Sequence, residues 1–398
     1  MDSRRLQAAF AYSAVVLLTC PALRPLEYSI TFGDLFLLMA ILLNVDCALK
    51  VHSFQLPLIV ATPFMIVSQV VDTDATLIEV AQCVYIYGVI LPFGWVAFAR
   101  LRPRTLLVVF LIALAGNALV AFGQNMGYIG AIGRGRIWAT RDTFRAAGLS
   151  ITCSSLCMTL TPAFPLLLYV KSYRYRIFLM VAISLGILAT LAKSAIFAIP
   201  GLIFYLIHEP NRKGVVRLGL VFATVSCCLY LYSPAVQWLV HDVAESISHR
   251  IGYLHVSLWE RTSTLRFALS YVPECYLLGL GYAGTHYELT QHLGNTVHVF
   301  HVGLPLIGGL VCALLHYLGI ILMIHQARRR QAPLVVFMIG QLLAVCTMPV
   351  LMHSFQYIPY MLTGAVVVAS CSVRATRPAG QSVYSPATPL LASGASRA

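Results

Sequence analysis

The sequence predicts an all-α, polytopic membrane protein, and its composition and charge pattern support that prediction. Of the 398 residues, 59% are hydrophobic and only 10% are charged, and the mean hydropathy is +0.81. Soluble domains do not have that balance. The net charge of +13 comes from basic residues in short segments between apolar stretches. Because these residues form no long basic face, the charge does not indicate a nucleic-acid partner.

About twelve transmembrane helices are expected, because apolar stretches of roughly 20 residues cross a bilayer. Their approximate positions are 8–24, 30–48, 54–71, 77–98, 105–123, 148–170, 176–192, 194–208, 215–233, 297–325, 332–350 and 356–373. The first resembles a signal peptide, but no convincing cleavage site follows, so we interpret it as a retained helix. The seventh and eighth are nearly continuous, and we favour a tight hairpin at Ala192–Ser194 over one long helix. Asp34 is expected to be a helix-start residue.

The distribution of positive charge supports this count. With twelve helices, both termini and alternate loops lie on one side, and each of those loops is basic, as expected for the cytoplasm. They contain Arg4 and Arg5, Lys50, Arg100, Arg102 and Arg104, Lys171, Arg174 and Arg176, Arg212, Lys213 and Arg217, Arg328 to Arg330, and Arg374 and Arg377. Residues 1–374 then form a transmembrane domain with outer loops at 124–148 and 233–297, the larger one between helices 9 and 10. Residues 375–398 read as a disordered cytoplasmic tail.

Eight basic residues lie on the outer side, against this rule. They are Arg134, Arg136, Arg141, Arg145, Lys193, Arg250, Arg261 and Arg266. They are either solvated loop charges or the lining of an external pocket for an anion. Arginine suits a phosphate, because its planar guanidinium donates two parallel hydrogen bonds.

Among these cations, the position of Arg261 is the most informative. Leu265 follows it by about one helical turn, so the two side chains share a face. The leucine can seat the helix while the guanidinium reaches a ligand, or the arginine snorkels to lipid headgroups. Arg266 points elsewhere and is expected to meet lipid or a loop acid. Arg145 stands just before the sixth apolar stretch, and Lys193 lies at the hairpin tip, where a buried cation is costly without a partner.

His298 begins the tenth apolar stretch, ten residues before Gly308. A histidine there can exchange protons near neutral pH, so it is a candidate general base or a cation for phosphate. The alternative is an interfacial histidine bonded to a loop carbonyl. His301, one turn further, is a weaker candidate. The spacing of His286, His292 and His298 does not suit zinc, so we expect no metal and no cofactor.

Three glycines, Gly279-x-Gly281-x-x-Gly284, have the letters of a dinucleotide-binding fingerprint. They follow no βαβ pattern, so we reject that interpretation. Glycines at these positions allow a tight turn or a close approach of the backbone to a ligand, or they belong to a plain loop.

Taken in order, these motifs resemble the large periplasmic loop of O-antigen ligases and Wzy-type polysaccharide polymerases. The motifs are Arg261-x-x-x-Leu265, Pro273, Gly279-x-Gly281-x-x-Gly284 and His298-x9-Gly308. Arg145-x-x-Gly148 is similar to the family's R-x-x-G before a span, and Thr190-Leu-Ala-Lys193-Ser-Ala to its T-x-S-R-[GA] hairpin. Three positions depart from the family pattern, which has arginine at Lys193, an aromatic residue at Leu265 and asparagine at Val299.

The resemblance implies a glycosyltransferase-C-like helical fold in the bacterial inner membrane, with both termini cytoplasmic and the active site facing the periplasm. It also implies an inverting, metal-independent transfer of a glycan from undecaprenyl diphosphate. The chain looks most like an exopolysaccharide polymerase of the xanthan type, whose acceptor is another lipid-linked repeat unit. An O-antigen ligase, whose acceptor is lipid A core, is the alternative.

By this resemblance, the diphosphate lies among Arg261, Arg145 and Lys193, with Arg134, Arg136 and Arg141 in reserve. His298 and Arg261 are the expected catalytic residues, and His301, Arg266, Gly279 and Gly281 are weaker candidates. The expected partners are membrane lipid, a chain-length regulator and a flippase. A transporter of lipid-linked glycan or of a small molecule is the alternative from another class. It would place charges at the bilayer midplane, whereas the charges here cluster at the outer face.

Overall fold

The computed structural model describes residues 3–23, 30–132, 138–140, 143–190, 192–211, 213–214, 254–285, 300–328, 331–345 and 353–375. This part of the chain is helical apart from one β-ribbon, in which β1 (Trp138–Thr140) pairs antiparallel with β2 (Thr143–Arg145). The α-helices are α1 (Ser3–Leu18), α2 (Phe32–Leu42), α3 (Val45–Ala48), α4 (Gln55–Val71), α5 (Leu77–Cys83), α6 (Leu91–Phe93), α7 (Pro103–Asn125), α8 (Cys153–Leu160), α9 (Tyr173–Thr190), α10 (Ala198–His208), α11 (Leu254–Tyr271), α12 (Phe300–Gly308), α13 (Leu310–Arg328), α14 (Ala332–Val345) and α15 (Ile358–Ala375). The expected ninth span, 215–233, much of the loop 233–297 and the tail from 376 lie outside the described residues.

In the part of the chain that the structure describes, four helices are long and apolar enough to cross a membrane. They are Leu77–Phe98, Pro103–Asn125, Tyr173–Thr190 and Leu310–Arg328. Five more apolar helices are shorter, namely Phe32–Leu42, Gln55–Val71, Cys153–Tyr169, Ser194–His208 and Ala332–Val345. The expected all-helical class is confirmed, and the apolar helices are compatible with a membrane protein.

Helix α4 and the helical stretch Leu77–Phe98 run antiparallel, as two hydrogen bonds between them show. Near the start of α4, Gln55 Nε2 donates to the carbonyl of Pro92 at 2.8 Å. Two turns later, Thr62 Oγ1 donates to the carbonyl of Tyr87 at 2.7 Å. The partner positions fall as the α4 positions rise, so the two helices form a hairpin closed by the short turn after Asp72.

The hairpin expected at Ala192–Ser194 is present. Helix α9 ends at Thr190, a 3-10 turn covers Lys193–Phe197, and α10 returns along the bundle. At the far end of this hairpin, Arg176 Nη1 lies 3.0 Å from the carboxylate of Glu209, and both residues are buried. We name the two ends of the bundle by their acidic residues, the Asp72 end and the Glu209 end.

Helix α7 lies in the middle of the hydrophobic core. It packs against α1, α8, α9 and α15, and its buried residues include Leu107, Phe110 and Leu114. Close approach to α9 depends on Gly186, because a Cβ there would lie 2.4 Å from the Cβ of Ala118. Through these contacts α7 supports the Asp72 end, where it terminates.

Three expected spans are less regular than single helices. The stretch at 297–325 breaks at Gly309, whose φ of +88° is left-handed. The stretch at 148–170 becomes helical only at Cys153, and its second half, Thr161–Tyr169, is a 3-10 helix. This half contains Pro162 and Pro165, which have no N–H for the α-helical ladder. The stretch at 77–98 changes from α-helix to π-helix, and ends as a 3-10 helix.

Asp34 is a helix-start residue, as expected. Its carboxylate accepts hydrogen bonds from the backbone and hydroxyl of Thr31, which completes a capping box at the start of α2. The hydroxyl of Tyr85 donates to the other carboxylate oxygen at 2.8 Å. A buried acid is tolerated here because donors satisfy both oxygens.

Candidate functional site

Arg145 stands at the Asp72 end, where β2 meets the end of α9. Its Nε donates to the carbonyl of Thr190 at 3.2 Å, and the N–H of Ala146 donates to the carbonyl of Ala189 at 3.2 Å. These two carbonyls belong to the last turn of α9, where backbone carbonyls have no N–H partner within the helix. Arg145 is half-buried, and Nε is the only side-chain donor that it uses within the described residues. Its two terminal amino groups therefore have no partner within the described residues.

Gly148 fixes the direction in which the chain leaves this corner. Its φ is +59°, and its N–H and carbonyl both bond the side-chain amide of Gln124, at 2.8 and 3.2 Å. Asn117 accepts from the N–H of Leu149 at 2.7 Å and donates to the carbonyl of Thr19 at 2.6 Å. A Cβ on Gly148 would lie 2.2 Å from Asn117 Oδ1. The buried side-chain amides of Asn117 and Gln124 on α7 therefore hold the backbone at position 148, where only glycine fits.

The turn after α9 brings the backbone of Lys193 to the same corner. Helix α9 ends at Thr190, whose carbonyl bonds Arg145, and Lys193 begins the next 3-10 turn. Helix α8 packs directly against this 3-10 turn and so supports it. The structure thus joins two motifs that are well separated in the sequence. Of Lys193, only the backbone position is described.

His301, on α12, links three helices. Its Nδ1 is hydrogen-bonded to the hydroxyl of Tyr317 on α13, and its Nε2 lies 3.0 Å from the carbonyl of Leu342 on α14. Because a carbonyl only accepts, Nε2 carries the proton. Both ring nitrogens are occupied by the protein, so His301 braces the helices and leaves no nitrogen for a substrate.

Helix α14 connects His301 to the Arg145 corner. It packs against α8 and the 3-10 turn that begins at Lys193, and it accepts the His301 hydrogen bond at Leu342. The neighbouring Gln341 is buried, and within the described residues its Oε1 has no hydrogen-bond partner. A buried polar atom without a partner is costly in free energy. The Gln341 amide is therefore a polar group in the interior of the Asp72 end.

Residues 275–284, here called the glycine segment, pack against other parts of the same chain. The N–H of Gly279 donates to Ser68 Oγ, and that of Gly284 donates to Asp72 Oδ2, both at 2.9 Å. Gly281 has a φ of +78°, and a Cβ there would lie 2.3 Å from Asp72 Oδ2. Gly281 thus allows a close approach to the end of α4, whereas at Gly279 a Cβ would lie 2.3 Å from the carbonyl carbon of Ile307 on α12. Gly279 and Gly281 are therefore structural residues that dock the segment.

Two titratable groups in this segment have raised pKa values. Burial raises the pKa of Tyr282, and the negative charge of Glu79 raises it further. Burial also raises the pKa of the Cys275 thiol, helped by the charge of Glu274. A thiol with a raised pKa is a poor nucleophile near pH 7.

Arg261 lies on α11, which packs against α12. Thr264 and Ala268 of α11 are buried, and Ala268 packs beside Leu306 of α12. Position 261 is one turn before Thr264, so it shares the face that meets α12. Only the backbone position of Arg261 is described. Arg266 is exposed, consistent with its expected orientation away from that face.

The remaining candidates are His298, Arg134, Arg136 and Arg141, which lie outside the described residues, so their roles stay predictions. Arg145 and the backbone of Lys193 are brought together directly. His301 is linked to this corner through α14, to which it is hydrogen-bonded. Helix α11, which contains Arg261, is linked to the corner through α12, the helix of His301. Within the described residues, no group of three or more His, Cys, Asp or Glu could hold a metal ion.

Sequence reasoning missed Asn117, Gln124 and Asp72. The sequence did contain a signal for Asn117 and Gln124, because side-chain amides inside an apolar stretch must find hydrogen-bond partners when they are buried. They are seven residues apart, so they lie on one face of α7. Asp72 had no local signal, since its partner, Gly284, is remote in the sequence.

The fold and this site define a class: an apolar helical bundle, compatible with a membrane protein, with a basic corner at one end. Comparison with protein-family models found no family that matches the chain, and comparison with curated proteins found none that matches it. The assignment to a family therefore rests on the motifs themselves and stays an expectation.

Proposed function

We propose that this chain is a polysaccharide polymerase of the bacterial inner membrane, with about twelve transmembrane helices and both termini in the cytoplasm. It joins undecaprenyl-diphosphate-linked oligosaccharide repeat units into exopolysaccharide on the periplasmic face, by inverting, metal-independent glycosyl transfer. The observation that carries the proposal is the Arg145 corner, where one guanidinium nitrogen is hydrogen-bonded to α9. The other two nitrogens have no partner within the described residues, so they can bind an anion.

In the proposed reaction, an acceptor hydroxyl attacks the anomeric carbon from the side opposite the diphosphate. A new glycosidic bond forms as the bond to the diphosphate oxygen breaks, and the diphosphate gains negative charge. Fixed cations stabilise that developing charge. We assign this role to Arg145, Lys193 and Arg261, with Arg134, Arg136 and Arg141 beside them. His298 accepts the proton of the attacking hydroxyl or holds the diphosphate.

The packing of the described helices supports a shared site. Helix α11, which contains Arg261, packs on α12, which contains His301 and follows His298 in the chain. His301 bonds α14, and α14 packs on the turn that begins at Lys193. The expected phosphate-binding positions are therefore joined by direct helix contacts at the Asp72 end. Anchoring Arg145 through Nε reduces the entropy lost when the guanidinium binds a phosphate.

Charge supports the proposed orientation. Loops at the Glu209 end carry basic residues, including Arg100, Arg102, Arg104, Lys171 and Arg174. By the positive-inside rule that end faces the cytoplasm. The Asp72 end, with Arg145, then faces the periplasm, where a flipped lipid-linked glycan would be found.

The first test is a deletion strain in which lipid-linked glycans and surface polysaccharide are both sized. Single repeat units on the carrier, with no polymer, are the result expected for a polymerase. Long polymer on the carrier with none on lipid A would instead identify an O-antigen ligase. Repeat units trapped in the inner leaflet would identify a flippase, and unchanged glycans would leave only another kind of transporter.

A second test examines the corner itself. Arg145→Ala should lower polymer formation by roughly 100-fold or more, since removing one preorganised donor has an effect of that order. The matched control is Arg174→Ala, an exposed arginine at the Glu209 end, which should leave polymer unchanged. Full polymer from Arg145→Ala, at equal protein level, would refute the assigned role.

A further inference from the structure

One part of the segment expected to lie in the periplasm has a strongly apolar surface. Tyr276, Leu277 and Leu278 follow α11, and their exposed fractions are 62%, 56% and 37%. We call these three residues the Tyr276 patch. Three consecutive large apolar side chains on a surface mark a contact with a partner or with a membrane.

Backbone hydrogen bonds join the patch to helix α13. The N–H of Leu310 donates to the carbonyl of Cys275 at 2.8 Å, and that of Val311 donates to the carbonyl of Tyr276 at 3.2 Å. Gly309 makes this contact possible, since a Cβ there would lie 2.4 Å from the carbonyl oxygen of Leu277. The patch is therefore fixed beside the first turn of a helix that is long and apolar enough to cross a membrane.

The exposed face of α13 continues into the patch. Leu314, Leu318 and Ile321 are 61%, 45% and 59% exposed, and their spacing places them on one stripe. Val311, which bonds Tyr276, lies on that stripe one turn before Leu314. The apolar surface thus runs without a break from the membrane-crossing helix to the Tyr276 patch.

A second apolar stripe meets the patch from the other side. The N–H of Gly279 bonds Ser68 on α4, which places Leu278 beside the end of that helix. There Val67 and Val71 are 42% and 63% exposed. Surfaces that flank the patch on both sides have the character of lipid-facing helices.

We infer that the Tyr276 patch is inserted in the lipid headgroup and acyl boundary at the Asp72 end. Its occupant is the bilayer itself. Tyrosine suits this depth because its ring is apolar and its hydroxyl is polar. The nearby charged residues fit as well, because Arg266 and Glu274 are exposed, and an arginine at this level can contact lipid phosphates. This inference depends on membrane insertion and is independent of the proposed glycosyl transfer.

The test uses the full chain in nanodiscs, where both bundle ends meet water. Leu277→Cys should react with a charged maleimide at least about ten-fold more slowly than Tyr128→Cys, because thiolate chemistry needs access to water. Tyr128 is the matched control, since it lies in a turn at the same end and is 88% exposed. The unmodified chain gives the background from native cysteines. A spin label at position 277 should also collide more with oxygen than with a water-soluble nickel complex.

Equal labelling rates at the two positions would overturn the inference. Slow labelling of Leu277→Cys in native membranes but fast labelling in nanodiscs would also overturn it, and would assign the patch to a protein partner. Tyr276→Cys provides a second reading if the first variant does not accumulate. Loss or retention of polymer formation has no bearing on either result.

Discussion

Gly148 is the residue whose replacement tests the Arg145 corner most directly. Its left-handed backbone disfavours any side chain, and a Cβ would overlap Asn117 Oδ1 at 2.2 Å. Gly148→Ala should therefore lower the unfolding free energy by about 2–4 kcal/mol, because strain and overlap add. Thermal unfolding of the purified protein in detergent measures this loss.

Gly116→Ala is the control for that substitution. Gly116 lies in α7, one residue before Asn117, and a Cβ there would meet no atom within 4 Å. Alanine in a helix interior is favoured over glycine by about 0.5–1 kcal/mol. The control should match or exceed the parent in stability. Equal stability of both variants would contradict the close packing described at Gly148.

Individual residues also show what a sequence can and cannot predict. The capping role of Asp34 was predictable because the interaction with Thr31 is local. The tight approach at Gly281 was predictable, but its partner was not. That partner is Asp72, more than 200 residues earlier, and no local pattern connects the two.

Among the elements, the α9–α10 hairpin depends on a buried ion pair. The side chains of Arg176 and Glu209 are 10% and 0% exposed. Glu209→Ala should destabilise the protein by about 3–5 kcal/mol, because it leaves a buried, unpaired guanidinium. The double variant Arg176→Met with Glu209→Leu should recover most of that loss, because no unpaired charge remains. Chemical unfolding of both variants measures the difference.

An exposed ion pair supplies the comparison for the buried one. Arg100 and Asp46 pair at the Glu209 end with side chains that are 45% and 60% exposed. Solvent screens such a pair, so Asp46→Ala should cost less than about 1 kcal/mol. A loss as large as that of Glu209→Ala would show that burial is not the cause.

The glycine segment is a second element with a testable anchor. Asp72 accepts from the N–H groups of Gly284 and Asp74, so Asp72→Ala removes the acceptor for two backbone donors. The segment should open more easily by about 1–2 kcal/mol, which corresponds to roughly 5- to 30-fold faster amide exchange at Gly284. Asp74→Ala, at an exposed neighbour, should leave that exchange rate unchanged.

Elements with strong local signals were the predictable ones. The turn at Ala192–Ser194 was predicted because alternate loops must be basic, and the structure has it. The break at Gly309 was not predicted, since its cause is the remote carbonyl of Leu277. The 3-10 form of Thr161–Tyr169 was also missed, although Pro162 and Pro165 were visible in the sequence.

At the scale of the whole molecule, the two bundle ends should face opposite sides of the membrane. Asp74→Cys, at the Asp72 end, should react with a membrane-impermeant maleimide in intact spheroplasts. Arg102→Cys, at the Glu209 end, should react only after permeabilisation. The reason is the positive-inside rule, by which the basic loops of the Glu209 end are expected to stay in the cytoplasm. The reverse labelling pattern would invert the proposed orientation and remove the periplasmic site.

The helical class of the molecule follows from composition, because an apolar chain must satisfy its backbone internally. Which helices touch does not follow from composition. The path from α11 through α12 and α14 to Arg145 depends on side chains such as His301, whose partners lie on other helices. Sequence patterns indicate which residues suit a phosphate, and tertiary packing decides which of them meet.

The 3-10 form of Thr161–Tyr169 has a consequence for length. A 3-10 helix rises about 2.0 Å per residue, against about 1.5 Å for an α-helix. The eight residues of α8 extend about 12 Å and the nine that follow about 18 Å, so the 17-residue element measures about 30 Å. As a uniform α-helix it would reach only about 25 Å, short of a hydrocarbon core of about 30 Å. The 3-10 form, which contains two prolines, thus brings a segment that is short in residues to about the thickness of a hydrocarbon core.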